Sequence, residues 1–177
     1  MGRSRYKIYN PDYPHFLTMT VVDWLPIFAN PDVAEIVLDS LRYLQKEKNA
    51  NLYAYVLMEN HLHVIVQSDN LSEAIQTFKS YTARTIIDYF TERKNIVTLE
   101  KLRYNKRKHK TKSAYQLWQE GSHPEEITTD DMMHKKIEYI HNNPVRRGYV
   151  DEARDWRYSS ERNYVGEQGL VHVQTEW

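Results

Sequence analysis

The order of periodic segments predicts an α+β protein: a ferredoxin-like antiparallel sheet with helices packed on one face and an additional C-terminal helix that carries a tyrosine. Three observations lead there. β-rich runs fall at 15–22, 52–57 and 61–67, and the gap between the last two suits a hairpin. Apolar residues repeat at three- and four-residue spacing in two long stretches around them. A short aromatic run then supplies a fourth strand, giving strand, helix, strand, strand, helix, strand and a final helix.

The elements follow in order. His15 to Val22 (HFLTMTVV) is β-rich, and Pro26 closes the segment after it. Asn30-Pro31-Asp32 opens a helix whose apolar positions are Val33, Ile36, Val37, Leu41 and Leu44, with a charged end at Lys46-Glu47-Lys48. Leu52 to Leu57 and His61 to Gln67 form a hairpin broken at Glu59-Asn60. Ser68-Asp69-Asn70 caps a long helix from Leu71 to Arg93, with Leu71, Ile75, Phe78, Ile86 and Phe90 on its apolar side. A basic loop leads to a short strand at Tyr115-Gln116-Leu117-Trp118. Thr128-Thr129-Asp130 caps the last helix, which runs to Asn142 and ends before Pro144. The remainder, with Trp156, Tyr158 and Trp177, reads as a wrap of low regularity. One sheet face is expected to stay open and carry a site.

Composition narrows the function classes. At 177 residues with 41% hydrophobic and 27% charged residues, the chain suits one compact domain spanning 1–177. The absence of cysteine excludes disulfides, thiolate metal sites and cysteine nucleophiles, and fits a reducing cytoplasm. No apolar run approaches the roughly 20 residues of a membrane span, so no membrane partner is expected. The formal net charge is zero, but Lys101 to Lys112 (KLRYNKRKHKTK) carries seven Lys or Arg and no acid. Such a run either binds phosphates or is simply a solvated loop. The 14 tyrosines either pack at the core boundary or stack on bases.

Chemistry concentrates in the strand His61-Leu62-His63-Val64-Ile65-Val66. Side chains alternate along a strand, so Leu62, Val64 and Val66 share one face while His61 and His63 emerge together on the other. Two imidazoles so placed can share a divalent ion, or can be strand histidines with no ligand at all. On the last helix, Tyr139 and Asn143 lie four residues apart, off the apolar stripe of Met133, Ile137 and Ile140. A phenol with a pKa near about 10 is a weak nucleophile at neutral pH. It needs a cation to polarise its target or to stabilise the phenolate. An ordinary helix tyrosine is the alternative.

The segment Ala54-Tyr55-Val56-Leu57-Met58-Glu59-Asn60-His61-Leu62-His63-Val64-Ile65 resembles the HUH block of single-tyrosine transposases, in which two histidines flank an apolar residue. Leu117-Trp118-Gln119 resembles that family's aromatic strand, and Tyr139-Ile140-His141-Asn142-Asn143-Pro144-Val145 its catalytic-tyrosine helix. Trp156-Arg157-Tyr158-Ser159-Ser160 is similar to a tail of the REP-associated branch. These blocks span most of the chain in the family's order.

The resemblance implies a ferredoxin-like fold, a divalent metal (Mg²⁺ or Mn²⁺) and cleavage of single-stranded DNA near hairpins. It makes Tyr139 the nucleophile that bonds to the DNA 5′ phosphate and frees a 3′ hydroxyl. His61 and His63 become metal ligands, and Asn143 takes the position of a third ligand that is glutamine in some relatives. Lys79, Arg84, Lys106, Lys108, Arg107, Arg146 and Arg147 are candidate DNA contacts. Gly121-Ser122-His123-Pro124 departs from the family pattern, so His123 receives no role. Some members complete a site with a partner's tyrosine helix, which leaves room for a homodimer. The competing readings are a replication- or conjugation-type HUH endonuclease, a domesticated hairpin-binding protein without strand transfer, and a histidine-centred nucleotide hydrolase. The last usually needs a third alternating histidine where this chain has Ile65.

Overall fold

The computed structural model describes residues 10–107, 111 and 113–177. Strands β1 (His15–Thr20), β2 (Asn51–Leu57), β3 (His61–Gln67) and β4 (Glu125–Glu126) form one antiparallel sheet in the order β2-β3-β1-β4. This is the ferredoxin-like order. A helix between β1 and β2, and another after β3, returns the chain so that neighbours run antiparallel.

The first helix, α1 (Pro31–Glu47), begins where Asn30 accepts the Asp32 N–H and proline fills the first helical position. The second, α2 (Leu71–Glu92), is capped by Asn70, which accepts the Glu73 N–H. Both pack on the sheet face formed by Leu17, Met19, Leu62, Val64 and Val66, with Leu52, Tyr55 and Leu57 from β2. A register shift between Leu52 and Ala54 turns Tyr53 and Ala54 to the other side and keeps β2 in phase.

That other face is not open. Helix α4 (Asp130–His141), capped by Thr129 on the Met132 N–H, lays Met133, Ile137 and Ile140 against Phe16, Ala54, Val56 and Ile65. The expected open face is therefore corrected. The aliphatic stripe had to be covered, since each fully buried side chain of this size stabilises by about 1.5–3 kcal/mol. Helix α5 (Asn143–Arg146) follows almost without a break.

Three further differences have local causes. The first strand stops at Thr20, because Asp23 and Trp24 take positive φ in a tight turn. The aromatic run at 115–118 is not the fourth regular strand. Only Trp118 bridges Val21, and its indole N–H is spent on the Thr82 hydroxyl at 2.9 Å. The edge place beside β1 goes instead to Glu125 and Glu126, opposite Phe16 and His15. Helix α3 (Ile96–Tyr104) takes up the start of the basic run read as loop; Asn95 caps it, and only Leu99 and Leu102 are buried.

The C-terminal wrap is well anchored. Ser159 bridges Val56, the Leu57 N–H donates to the Tyr158 carbonyl, and the Ser160 N–H donates to the Tyr55 carbonyl. This segment covers the outer edge of β2 and leads into the short helix α6 (Glu161–Tyr164). No helix among the described residues is long and apolar enough to cross a membrane.

Candidate active site

Strand alternation sends His61 and His63 to the α4 side, with ring centroids 4.7 Å apart. His63 stands opposite Thr18 in the register and shares a 2.9 Å hydrogen bond with its hydroxyl through Nδ1. His61 Nδ1 lies 2.7 Å from the Asn60 side-chain carbonyl oxygen. The Asn60 amide nitrogen donates to the Trp24 carbonyl, so its oxygen is the acceptor and His61 Nδ1 carries the proton. Nε2 of His61 is then a bare lone pair.

Both rings are buried, at 3% and 5% exposure. Burial, with Arg147 adding, lowers His61 to about 4. Burial, with the neighbouring His61, Lys136 and Arg147 adding, lowers His63 to about 3. Both imidazoles are neutral at pH 7, the state that binds a metal. Among the described residues, no group of three or more His, Asp or Glu is gathered. The donor chemistry still suits a divalent ion: two oriented imidazoles, completed by amide or phosphate oxygens.

Tyr139 reaches this pair from α4. Its ring centroid is 5.3 Å from His63 and 6.0 Å from Phe16, and the side chain is 39% exposed. The Arg146 guanidinium lies 5.6 Å from the ring centroid. One helical step past the tyrosine, Asn143 starts α5; among the described residues its side chain makes no hydrogen bond. His141, on the buried side of α4, bonds Glu161 through Nδ1 and Ser160 through Nε2, fixing the end of the helix to the C-terminal segment.

The chain matches the family described as IS200-like transposase over residues 15–143, well over half its length. The chain belongs to the IS200-like transposase family. A REP-associated tyrosine transposase of Haemophilus influenzae is 27% identical over 111 residues, which are 60% of this chain and 56% of that protein. The matched stretch thus spans little more than half of that relative. Among solved structures, a REP-associated tyrosine transposase bound to a REP hairpin superposes with a TM-score of 0.69 at 15% identity, covering 99% of this chain and 94% of that one. At that identity the likeness shows the shared fold. A transposase from Deinococcus radiodurans is more distant, with a TM-score of 0.47 at 16% identity over 80% of this chain and 97% of that one.

On this IS200-like scaffold the seven candidate DNA contacts separate. Arg146 and Arg147 stand at the His–Tyr cluster, Arg147 Nη1 being 3.9 Å from Glu59. Lys79 and Arg84 line a groove of about 1,120 Å³ between α2 and residues 113–121. Lys79 Nζ donates to the carbonyls of Gln119 and Gly121, so it also fastens that loop. Lys106 donates to the Ser113 carbonyl, while Arg107 is exposed beside it. Lys108 lies outside the described residues.

Sequence reasoning missed Thr18, Asn60, Trp24 and Phe16, which surround the His pair. Trp24 lies 6.0 Å from His61, and Phe16 stacks on His63 at 5.4 Å. Only Asn60, adjacent to His61, had a sequence signal. Thr18 and Phe16 needed the pairing register of β1, and Trp24 the positive-φ turn that follows it.

Proposed function

We propose that this chain is a metal-dependent single-stranded DNA transposase that nicks and rejoins DNA near hairpins through a 5′-phosphotyrosine on Tyr139. The carrying observation is the half-exposed Tyr139 ring packed 5.3 Å from His63, the second of two neutral, oriented imidazoles. The hairpin substrate is taken from the solved structural neighbour, whose DNA is a REP hairpin.

In this reading His61, His63 and Asn143 hold Mg²⁺ or Mn²⁺. The bound ion supplies charge stabilisation at the scissile phosphate and a better leaving group. Thr18 and Asn60 engage Nδ1 of the two rings, which would leave Nε2 of each to hold the ion. The Tyr139 hydroxyl attacks phosphorus, the bond to the 3′ oxygen breaks, and that oxygen takes up a proton to become a free 3′ hydroxyl. The phenolic proton leaves to solvent. Arg146, beside the ring, stabilises the phenolate as it forms. The phosphotyrosine conserves the bond energy, so a 3′ hydroxyl can attack it and rejoin the strand.

Strand-specific labelling tests the polarity. With metal and a labelled hairpin oligonucleotide, a 3′-end label should become attached to protein while a 5′-end label is released on a shorter DNA. Attachment of the 5′-labelled fragment would overturn the 5′-phosphotyrosine reading. Tight hairpin binding with no nick, at confirmed metal occupancy, would favour a hairpin-binding protein without strand transfer.

A further inference from the structure

Beside the His pair, a cleft of about 550 Å³ is lined by Phe28, Leu57, Glu59, Tyr149, Trp156 and Tyr158. Its size falls within the roughly 300–1,000 Å³ of small-molecule sites. Its walls are mainly aromatic. Tyr149 and Trp156 stack at 5.6 Å and 28°, and Tyr158 meets Trp156 edge-on at 6.3 Å. The Trp156 indole N–H is held by the Leu57 carbonyl at 3.1 Å, which fixes that ring. Tyr149 is 46% exposed and follows Gly148, whose φ of +73° makes the turn out of α5.

At the cleft's polar end stands Glu59. One carboxylate oxygen, Oε2, is buried with no hydrogen-bond partner among the described residues. A buried acceptor left unpaired is destabilising, so a donor that reaches Oε2 on rotation of the carboxylate is favoured. The phenol of Tyr149 is raised above its usual range by hydrogen bonding to Glu59, with burial adding. The carboxylate therefore accepts from Tyr149 through one oxygen, while Oε2 is left without a partner among the described residues.

The charges select the ligand class. A carboxylate inside repels a phosphate, while aromatic walls suit a flat π-system. Arg147, 3.9 Å from Glu59 and exposed, is placed for a backbone phosphate. Glu59 also sits two residues before His61, and the charge of Arg147 acts on both histidines. Glu59 thus joins the cleft to the strand that carries the histidines.

We propose that this cleft binds one unpaired guanine of the DNA strand, stacked on the Tyr149–Trp156 pair with its N1–H and N2 amino group donated to Glu59. Guanine is the DNA base that offers two adjacent donors on its Watson–Crick edge, which a carboxylate accepts together. The proposal rests on the single-stranded DNA reading above, but it needs neither the metal nor Tyr139.

The test is equilibrium binding of the whole protein to an oligothymidylate carrying one central dG, dI or 7-deaza-dG. Inosine lacks the N2 amino group, whereas 7-deazaguanine keeps the full donor edge. The dG and 7-deaza-dG strands should bind roughly tenfold more tightly than the dI strand. In Glu59→Gln this preference should collapse to less than about twofold, since one acceptor becomes a donor. Tyr149→Ala, at a half-exposed ring, should weaken all three strands by about tenfold through lost stacking. Equal binding of dG and dI strands by the natural protein, or a preference that survives Glu59→Gln, overturns the guanine cleft while leaving the transposase reading standing. No binding to any strand would likewise overturn the guanine cleft, while the transposase reading, which concerns hairpin DNA, would stand or fall on the labelled hairpin. Failure of covalent attachment with dG preference intact would overturn only the strand-transfer chemistry.

Discussion

His61 and His63 are held by unlike neighbours: Asn60 through a side-chain carbonyl, Thr18 through a hydroxyl. If these contacts aim Nε2 at a cation, Thr18→Val should lower Mn²⁺ affinity by about 10–100-fold with the ligands untouched, measurable by calorimetry. His63→Ala should remove more, but it is not the harmless substitution an open sheet face would allow. The ring is 5% exposed, and its loss leaves a cavity and an unpaired hydroxyl costing about 1–3 kcal/mol. The same burial sets a pH dependence for the metal-free protein. The folded-state values, about 4 for His61 and about 3 for His63, lie below the ordinary 6.5. Below pH 6.5 the unfolded chain therefore binds protons that the folded chain refuses. Stability should be intact above pH 6.5 and decline as pH falls through 6.5 towards 4 and 3; thermal melts across that window would check it. A melting temperature that rises on acidification would contradict the burial argument.

The elements that carry the site are joined by a buried polar knot. Ser160 accepts the Tyr55 N–H at 2.9 Å and meets His141, which bonds Glu161 in turn. Ser160→Ala should cost about 1–3 kcal/mol by leaving these groups unpaired, read as a lower denaturation midpoint. It should also loosen the end of the tyrosine helix. The three helix starts at Asn30, Asn70 and Thr129 and the hairpin at Glu59-Asn60 were legible in the sequence, because caps and turns are local chemistry. The placing of His61 with His63 was legible for the same reason, as strand alternation is local. The burial of that pair was not, because it depends on where α4 docks. Helix α3 was masked by its charges, and the run at 115–118 was read as a strand because its aromatic residues mimic one, while the edge strand Glu125–Glu126 carried no β-rich signal. The tail around Ser159 and Ser160 was visible only as a pattern; its pairing with β2 is a long-range contact.

Across the whole molecule, 24 Lys and Arg balance 24 Asp and Glu, so net charge cannot draw DNA in. Attraction has to come from local clusters: Arg146 and Arg147 beside Tyr139, and the groove of Lys79 and Arg84 that approaches the basic run. Hairpin affinity should therefore fall steeply with salt despite the zero net charge. Replacing Arg107 or Arg147 by alanine should reduce the slope of log affinity against log salt by about 1 each if that residue meets a phosphate. A salt-independent affinity would deny the electrostatic footprint altogether.

A single comparison shows whether Tyr139 forms the covalent bond to DNA. Labelled single-stranded hairpin DNA is mixed with Mg²⁺ or Mn²⁺ and either the natural protein or Tyr139→Phe, then run under denaturing conditions. The natural protein should give a denaturation-resistant adduct, and Tyr139→Phe should give none while hairpin binding stays within about 0.5 kcal/mol. An adduct that persists in Tyr139→Phe would exclude Tyr139 as the nucleophile.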